Sequence, residues 1–138
     1  LREAREGEDV SEPIVFISRF GVKEGKAEAL RKFIADGARA LEEEKPGTVA
    51  FLPYLDGSQR EATIVHVFPD AEAMDAHFEG AEERSRASSE FLEPRGFEIY
   101  GTPSGKSLAM LREATSTHHV VAMAGFLRPA PGTVSSGA

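Results

Sequence analysis

Residues 48–68, TVAFLPYLDGSQREATIVHVF, hold two runs rich in β-branched and aromatic side chains, Thr48–Leu55 and Ala62–Phe68, on either side of Asp56-Gly57-Ser58-Gln59. An Asp-Gly step between two such runs is a strong hairpin signal, because both residue types suit the backbone of a tight turn. The stretch reads as a β-hairpin. Upstream of it, Pro46-Gly47 stops a helix predicted from Lys23 to Lys45, whose apolar positions Ala27, Leu30, Ile34, Gly37, Ala38 and Leu41 follow helical spacing. Before that helix, PIVFISRFGV from Pro13 to Val22 has strand composition, with Pro13 tolerable at a strand start.

Downstream of the hairpin, Asp70 is placed to cap a second helix with Met74, His77, Phe78 and Ala81 on one face. The spacing carries this helix on to Leu92, with a bend at Gly80, and Pro94 is expected to end it. Gly96 to Gly101 reads as a fourth strand. Ser104 then caps a third helix through Ala114, and His118 to Phe126 reads as a fifth strand. The order is strand, helix, strand, strand, helix, strand, with a helix and strand appended. It predicts an α+β, ferredoxin-like βαββαβ sandwich as a single domain over 13–126. The ends, 1–12 and 129–138, are expected to be flexible tails.

Composition narrows the function classes. The 138 residues suit one domain, and no apolar run is long enough to cross a bilayer. A net charge of −7 with basic residues scattered among acids argues against nucleic acid as partner. Cysteine is absent, so there is no disulfide framework, thiol nucleophile or thiolate metal site. The acidic N-terminus lacks the apolar segment of a signal peptide, and a cytoplasmic location is expected.

The strands are apolar on both sides. Phe16, Ser18, Phe20 and Val22 alternate with Val15 and Ile17, and Val49, Phe51 and Leu55 with Ala50, Leu52 and Tyr54. Helices cover one face of such a sheet. Each large apolar side chain left in water forfeits roughly 1.5–3 kcal/mol. A second copy packed sheet to sheet removes that cost, so a homodimer is expected. The alternative is that the third helix and fifth strand fold over the open face of their own subunit.

His77 stands on or near an apolar helix face, where desolvation tunes an imidazole. The competing reading is a structural histidine bonded to a carbonyl or carboxylate. His66 lies between Ile64 and Phe68 on a strand that runs straight into the His77 helix, so the two rings can approach each other. No short ligand spacing accompanies them, and His118 and His119 point to opposite strand faces, so no metal site is predicted. No phosphate loop or nucleophile elbow is present. Ser18, Arg19, Tyr54 and Tyr100 are polar groups in apolar strands. They fit a pocket wall, a phenolic ligand, a sheet edge or a dimer contact equally well.

The string VFPDAEAMDAHF (67–78), the opening IVFISRFGVKEGKAEALRKF (14–33) and the turn Glu44-Lys-Pro-Gly47 together resemble the antibiotic biosynthesis monooxygenase family over about residues 13–101. The resemblance implies a dimeric α/β barrel with a pocket between sheet and helices. Some members of that family oxidise quinols or polycyclic phenols with O2 using neither metal nor flavin. Asp70, Ala73, Met74 and His77 fit its usual pattern. The function this implies is a cofactor-independent monooxygenase acting on an aromatic quinol or phenol. His77 would be the catalytic residue, with Ser18, His66, Phe68, Met74 and Phe78 around the substrate.

The chain departs from relatives of this kind in having no Trp and no Asn; Phe68 and Ser18 stand roughly where relatives carry an aromatic and an amide. The same fold also implies alternatives: a non-catalytic dimeric module for a small aromatic or apolar ligand, an isomerase or cyclase with His77 as base, or a heme-degrading enzyme. The heme-degrading reading fits worst, because no further histidine follows His77 in the second helix. The final strand, with Gly125, Phe126 and Arg128, resembles that of longer members, where it completes the sheet or reaches the partner.

Overall fold

Strand residues that alternate inward and outward, and helices with one apolar stripe, assemble in the computed structural model into one five-stranded sheet with helices packed on it. Residues 12–128 are described. The order is β1 (Ile14–Val22), α1 (Ala27–Glu44), β2 (Ala50–Leu55), β3 (Glu61–Phe68), α2 (Ala71–Phe78), α3 (Ala81–Ser88), β4 (Leu92–Tyr100), α4 (Gly105–Ala114) and β5 (Thr117–Val120). The strands lie in the order β2-β3-β1-β4-β5, antiparallel except for the parallel β4–β5 pair. The first four strands with their helices are the expected ferredoxin-like core.

The hairpin forms where its turn signal lies, with its loop organised by the Asp56 side chain. One carboxylate oxygen accepts from the Arg60 and Glu61 amides, both at 3.0 Å, and the other from the Ser58 hydroxyl. Positive φ falls on Gln59 and not on Gly57. Pro53 is accommodated because β2 is an edge strand, where a missing donor costs no ladder bond.

Two expectations are corrected between the second helix and the last strand. The predicted helix from Asp70 to Leu92 is two helices, broken where Gly80 takes φ 82°, and it ends at Ser88. Pro94 does not follow a helix. It lies inside β4, at an irregularity where Arg19 pairs with Gly96 and Phe20 with Pro94, leaving Arg95 as the extra residue. A bulge is one of the few places where a strand tolerates proline. The fifth strand also stops at Val120 instead of reaching Phe126. Beyond it Met123 is 99% and Phe126 79% exposed. The tails expected at 1–12 and 129–138 lie almost wholly outside the described residues.

The inner face of the sheet carries Ile14, Phe16, Ser18, Ala62, Ile64, His66, Phe68, Phe97 and Ile99, all buried. Apolar packing beneath the helices divides into two clusters. One gathers Ile14, Phe16, Phe68, Met74, Phe97, Ile99 and Leu111 under α2 and α4. The other gathers Leu30, Ala62, Phe91 and Leu92 under α1. The appended α4 packs on the helical side and β5 extends the sheet edge, so neither covers the open face. Val15, Ile17, Leu52, Tyr54, Val65, Val67 and Tyr100 form that outer face.

Two capping arrangements tie the helices. Asp70 caps α2 by accepting from the Ala73 amide at 2.8 Å, and Ser104 caps α4. Asp75 of α2 accepts from the hydroxyls of both Ser104 and Ser107 at 2.6 Å, clasping α2 to α4. Ser107 is buried. Removing the carboxylate strands its hydroxyl, so Asp75→Ala is expected to cost about 1–3 kcal/mol in urea unfolding. An unchanged urea midpoint would show that the clasp contributes nothing.

Candidate active site

Between the two apolar clusters the inner face turns polar. The period-two row on β3 that starts with Ala62 and Ile64 continues to His66 and Phe68, and β3 leads directly into α2, which presents His77 one helix length later. His66 and His77 meet edge to face with ring centroids 5.2 Å apart. Phe16 stacks on His66 at 4.8 Å, and Phe51 on the neighbouring strand lies 5.2 Å from it. Phe68 stands 5.2 Å and Phe78 5.8 Å from His77. Two imidazoles are thus held in an aromatic box.

Each ring is fixed by one nitrogen. Nδ1 of His66 donates to the carbonyl of Phe16 at 3.2 Å, which leaves its Nε2 as an acceptor. Nδ1 of His77 is 2.7 Å from the Thr48 hydroxyl. Among the described residues no hydrogen-bond partner is found for either Nε2. Burial pushes the His66 pKa down to about 4, aided by the nearby Arg84 charge and opposed by the Phe16 carbonyl. Burial also pushes His77 down to about 3, with further lowering from His66, Arg84 and Lys45. Both rings are therefore neutral at pH 7.

The two cations have structural partners at the end of α2. Lys45 donates to the carbonyls of Ala76 and Glu79 at 2.9 and 3.0 Å. Arg84 donates to the carbonyls of His77 and Glu79. Carbonyls left open at a helix C-terminus attract such groups, and the pair holds the turn that carries His77. Partial burial lowers the Arg84 pKa, against a raising influence of Glu44.

These shifts set a pH dependence whose sign is definite. Each histidine has a folded pKa below its unfolded value of 6.5, so the unfolded chain binds more protons between the two. The stability they contribute is complete above about pH 6.5 and is lost as pH falls toward 4 and then 3. Urea unfolding is expected to weaken by a few kcal/mol, in order of magnitude, between pH 7 and pH 4.5. In the double variant His66→Gln, His77→Gln that slope should flatten. A slope that survives in the double variant would show that other groups carry it.

The predicted site residues divide by position. His66, Phe68, His77 and Phe78 come together as described. Ser18 is buried on the same face of the sheet, paired across to Ile64 on one side and Phe97 on the other. Phe68 and Met74 are fully buried, so in this conformation they back the histidines and present no surface to a ligand. Thr48, Arg84, Lys45, Phe16 and Phe51 were not singled out from the sequence. Their roles depend on contacts between distant segments, and only the strand register places Phe16 and Phe51 beside His66. Of the four polar strand residues left open, Ser18 points inward. Arg19, Tyr54 and Tyr100 point outward, where Glu98 accepts from both Arg19 and Tyr100.

An apolar cleft of about 310 Å³ lies under α1, and neither histidine lines it. Ala62 and Ile64 form its floor, Pro53 and Leu55 its outer wall, and Leu30, Ile34 and Ala38 of α1 its roof. Among the described residues no set of three His, Cys, Asp or Glu side chains is placed to hold a metal ion.

A ferredoxin-like sheet with a neutral, buried histidine pair beneath its helices defines a small α+β protein built around an enclosed polar spot. The sequence profile of the family described as antibiotic biosynthesis monooxygenase matches residues 13–85, more than half of the chain, and the chain belongs to that family. Among solved structures it is similar to MupZ from Pseudomonas fluorescens, at 18% identity and TM-score 0.66, over 85% of this chain and 95% of that one. That share exceeds the βαββαβ core, so the likeness extends into α4 and β5. It is also similar to SnoaB from Streptomyces nogalater, described as a cofactor-independent oxygenase, at 16% identity and TM-score 0.56, over 68% and 96% of the two chains. Protein SO0527 from Shewanella oneidensis is similar at 26% identity and TM-score 0.52, over 64% and 87%. No curated protein gives a significant match. No described helix is long and apolar enough to cross a membrane.

Proposed function

We propose that the protein is a homodimeric, cofactor-independent monooxygenase that oxidises an aromatic quinol or phenol with O2. The observation that carries this reading is the pair of buried neutral imidazoles in an aromatic box, each with one nitrogen anchored and Nε2 unpartnered among the described residues. Membership of the monooxygenase family supports it, as does the fold shared with a cofactor-independent oxygenase.

The chemistry asks little of the protein. A phenol that loses its proton passes one electron to O2, giving a phenoxyl radical and superoxide. The two combine through a new C–O bond to a peroxide anion, which takes up a proton. Loss of water across the O–O bond then leaves a carbonyl, so one oxygen atom enters the product and the other leaves as water. The protein binds, desolvates and stabilises the anion.

An imidazole titrating near 3 is a weak base, so in the free protein His77 acts chiefly as a hydrogen-bond partner. A bound phenolate changes the balance. Arg84 and Lys45 disfavour an imidazolium and for the same reason favour an anion, while the anion raises the basicity of both rings. The second copy is proposed to cover the outer face, where Val15, Ile17, Leu52, Val65 and Val67 form an apolar patch beside the Arg19–Glu98–Tyr100 network.

Oxygen uptake by the purified protein with naphthoquinols and anthrones, against a no-protein control for autoxidation, tests the reaction. Uptake above the control with quinone as product is expected. No uptake across the panel, together with binding of the same compounds, would replace the oxygenase with a ligand-binding module.

A further inference from the structure

The turn that carries Thr48 is fastened to both ends of α2. Lys45 donates to the carbonyls of Ala76 and Glu79 at the C-terminal end of that helix, at 2.9 and 3.0 Å. Toward the other end, Gly47 lies so close that a Cβ built on it would come within 3.3 Å of the Ala73 Cβ. The Thr48 amide closes the turn by donating to the Lys45 carbonyl at 3.0 Å. From this clamped turn the Thr48 hydroxyl reaches Nδ1 of His77 at 2.7 Å. A hydroxyl held at two points on the helix that bears the ring has little freedom to choose another partner.

The direction of that hydrogen bond follows from counting protons. A neutral imidazole has one N–H and one lone pair, and a hydroxyl has a single hydrogen to give. His66 spends its N–H at Nδ1, because the Phe16 carbonyl it bonds can only accept. The Thr48 hydroxyl has no other hydrogen-bond partner among the described residues, so it donates and Nδ1 of His77 accepts. The opposite arrangement would leave the hydroxyl hydrogen without a protein acceptor and place a lone pair on both Nε2 atoms, in rings whose centroids are 5.2 Å apart. His77 therefore keeps its proton on Nε2, where His66 has its lone pair. Among the described residues no buried side-chain nitrogen or oxygen is without a partner. The two free Nε2 atoms thus retain accessible surface, although His66 and His77 are only 5% and 3% exposed. Phe16, Phe51, Phe68 and Phe78 surround them.

We propose that Thr48 is a positioning residue that makes the two histidines unlike: it holds the His77 proton on Nε2, so that one ligand hydroxyl accepts from His77 while donating its own hydrogen to Nε2 of His66. This rests on the histidine pair as the site of the proposed reaction, and it divides the roles within that pair. The proton acceptor is His66. When the ligand O–H bond breaks, its electron pair stays on oxygen, its proton forms an N–H bond at Nε2 of His66, and the His77 N–H stays on the new anion. The anion beside the ring offsets the burial that otherwise keeps it neutral. The same proton is then at hand for the peroxide anion. An ether oxygen in place of the hydroxyl satisfies His77 but leaves the His66 lone pair unpaired, which a buried site penalises.

The test is the tautomer itself, read from long-range proton–nitrogen correlation spectra of the imidazoles in the wild-type protein at neutral pH. His66 is expected to carry its proton on Nδ1 and His77 on Nε2. In Thr48→Val the His77 proton is expected to spread over both nitrogens while that of His66 stays in place. Calorimetric binding of 1-naphthol against 1-methoxynaphthalene gives a second readout. The wild type is expected to prefer the naphthol roughly tenfold or more. His66→Phe should lose that preference, whereas His77→Phe should weaken both compounds and keep it. A wild-type His77 protonated on Nδ1 would overturn the proposal. So would a Thr48→Val protein with wild-type tautomers, a preference that survives in folded His66→Phe, or a wild type that binds neither compound. The expected tautomers and preference in a protein that takes up no oxygen would leave this proposal standing and sink the oxygenase, and oxygen uptake with both protons on Nδ1 would do the reverse.

Discussion

Val65→Asp is expected to abolish the proposed homodimer. Val65 sits at the centre of the outer sheet face, paired with Ile17 on one side and Leu52 on the other. In a sheet-to-sheet dimer the new carboxylate is buried without a partner, and twofold symmetry places it there twice. An uncompensated buried charge costs several kcal/mol. The dissociation constant should therefore rise by on the order of 10³-fold or more, at 1.4 kcal/mol per decade. On a face that stays in water the same change is worth about 1 kcal/mol at most, through strand propensity. Sedimentation velocity of Val65→Asp, beside the exposed-helix control Ala40→Asp, separates the cases. A wild type that sediments as a monomer, or a Val65→Asp protein that remains dimeric, would rule out this face as the interface.

His77→Ala is expected to lower turnover of a phenolic substrate by about 10²–10⁴-fold while leaving the sheet intact. The ring is held by the Thr48 hydroxyl and boxed by Phe68 and Phe78, so its loss removes a positioned hydrogen-bond partner and leaves a cavity. His77→Gln, which keeps a hydrogen-bonding amide, should recover part of the rate. Thr48→Val should cost less than His77→Ala, because it frees the ring without removing it. The pH profile provides a further check. Both imidazoles stay neutral down to about pH 4, so kcat/KM between pH 5 and 8 should follow the ionisation of the substrate and show no protein group near 6.5. A His77→Ala protein that turns over at the wild-type rate would remove His77 from the reaction.

The signals legible in the sequence are those whose physics is local. Pro46-Gly47 ends α1, Asp70 and Ser104 cap the helices expected of them, and the Asp-Gly turn makes the hairpin. Pro94 has the chemistry of a helix stop, whereas a bulge in β4 holds it within a strand. The end of β5 is not legible in the sequence, since composition does not reveal that pairing with β4 ends at Tyr100 and Val120. His66 and His77 were legible as a pair because one strand and the helix after it carry them. Thr48, Arg84 and Lys45 were not, because nothing in their own segments marks them as neighbours of His77.

By itself the sequence determined the order of elements, the two-sided apolar character of the strands and the presence of two histidines on inward faces. Each of these follows from side-chain periodicity, turn chemistry and capping within about a dozen residues. Tertiary structure decided which polar strand residues point to the site, since register alone turns Ser18 inward and Arg19, Tyr54 and Tyr100 outward. It also decided the charge state of the site. An imidazole is neutral or charged according to the water removed and the cations gathered around it, and those come from α1, α2 and α3 together.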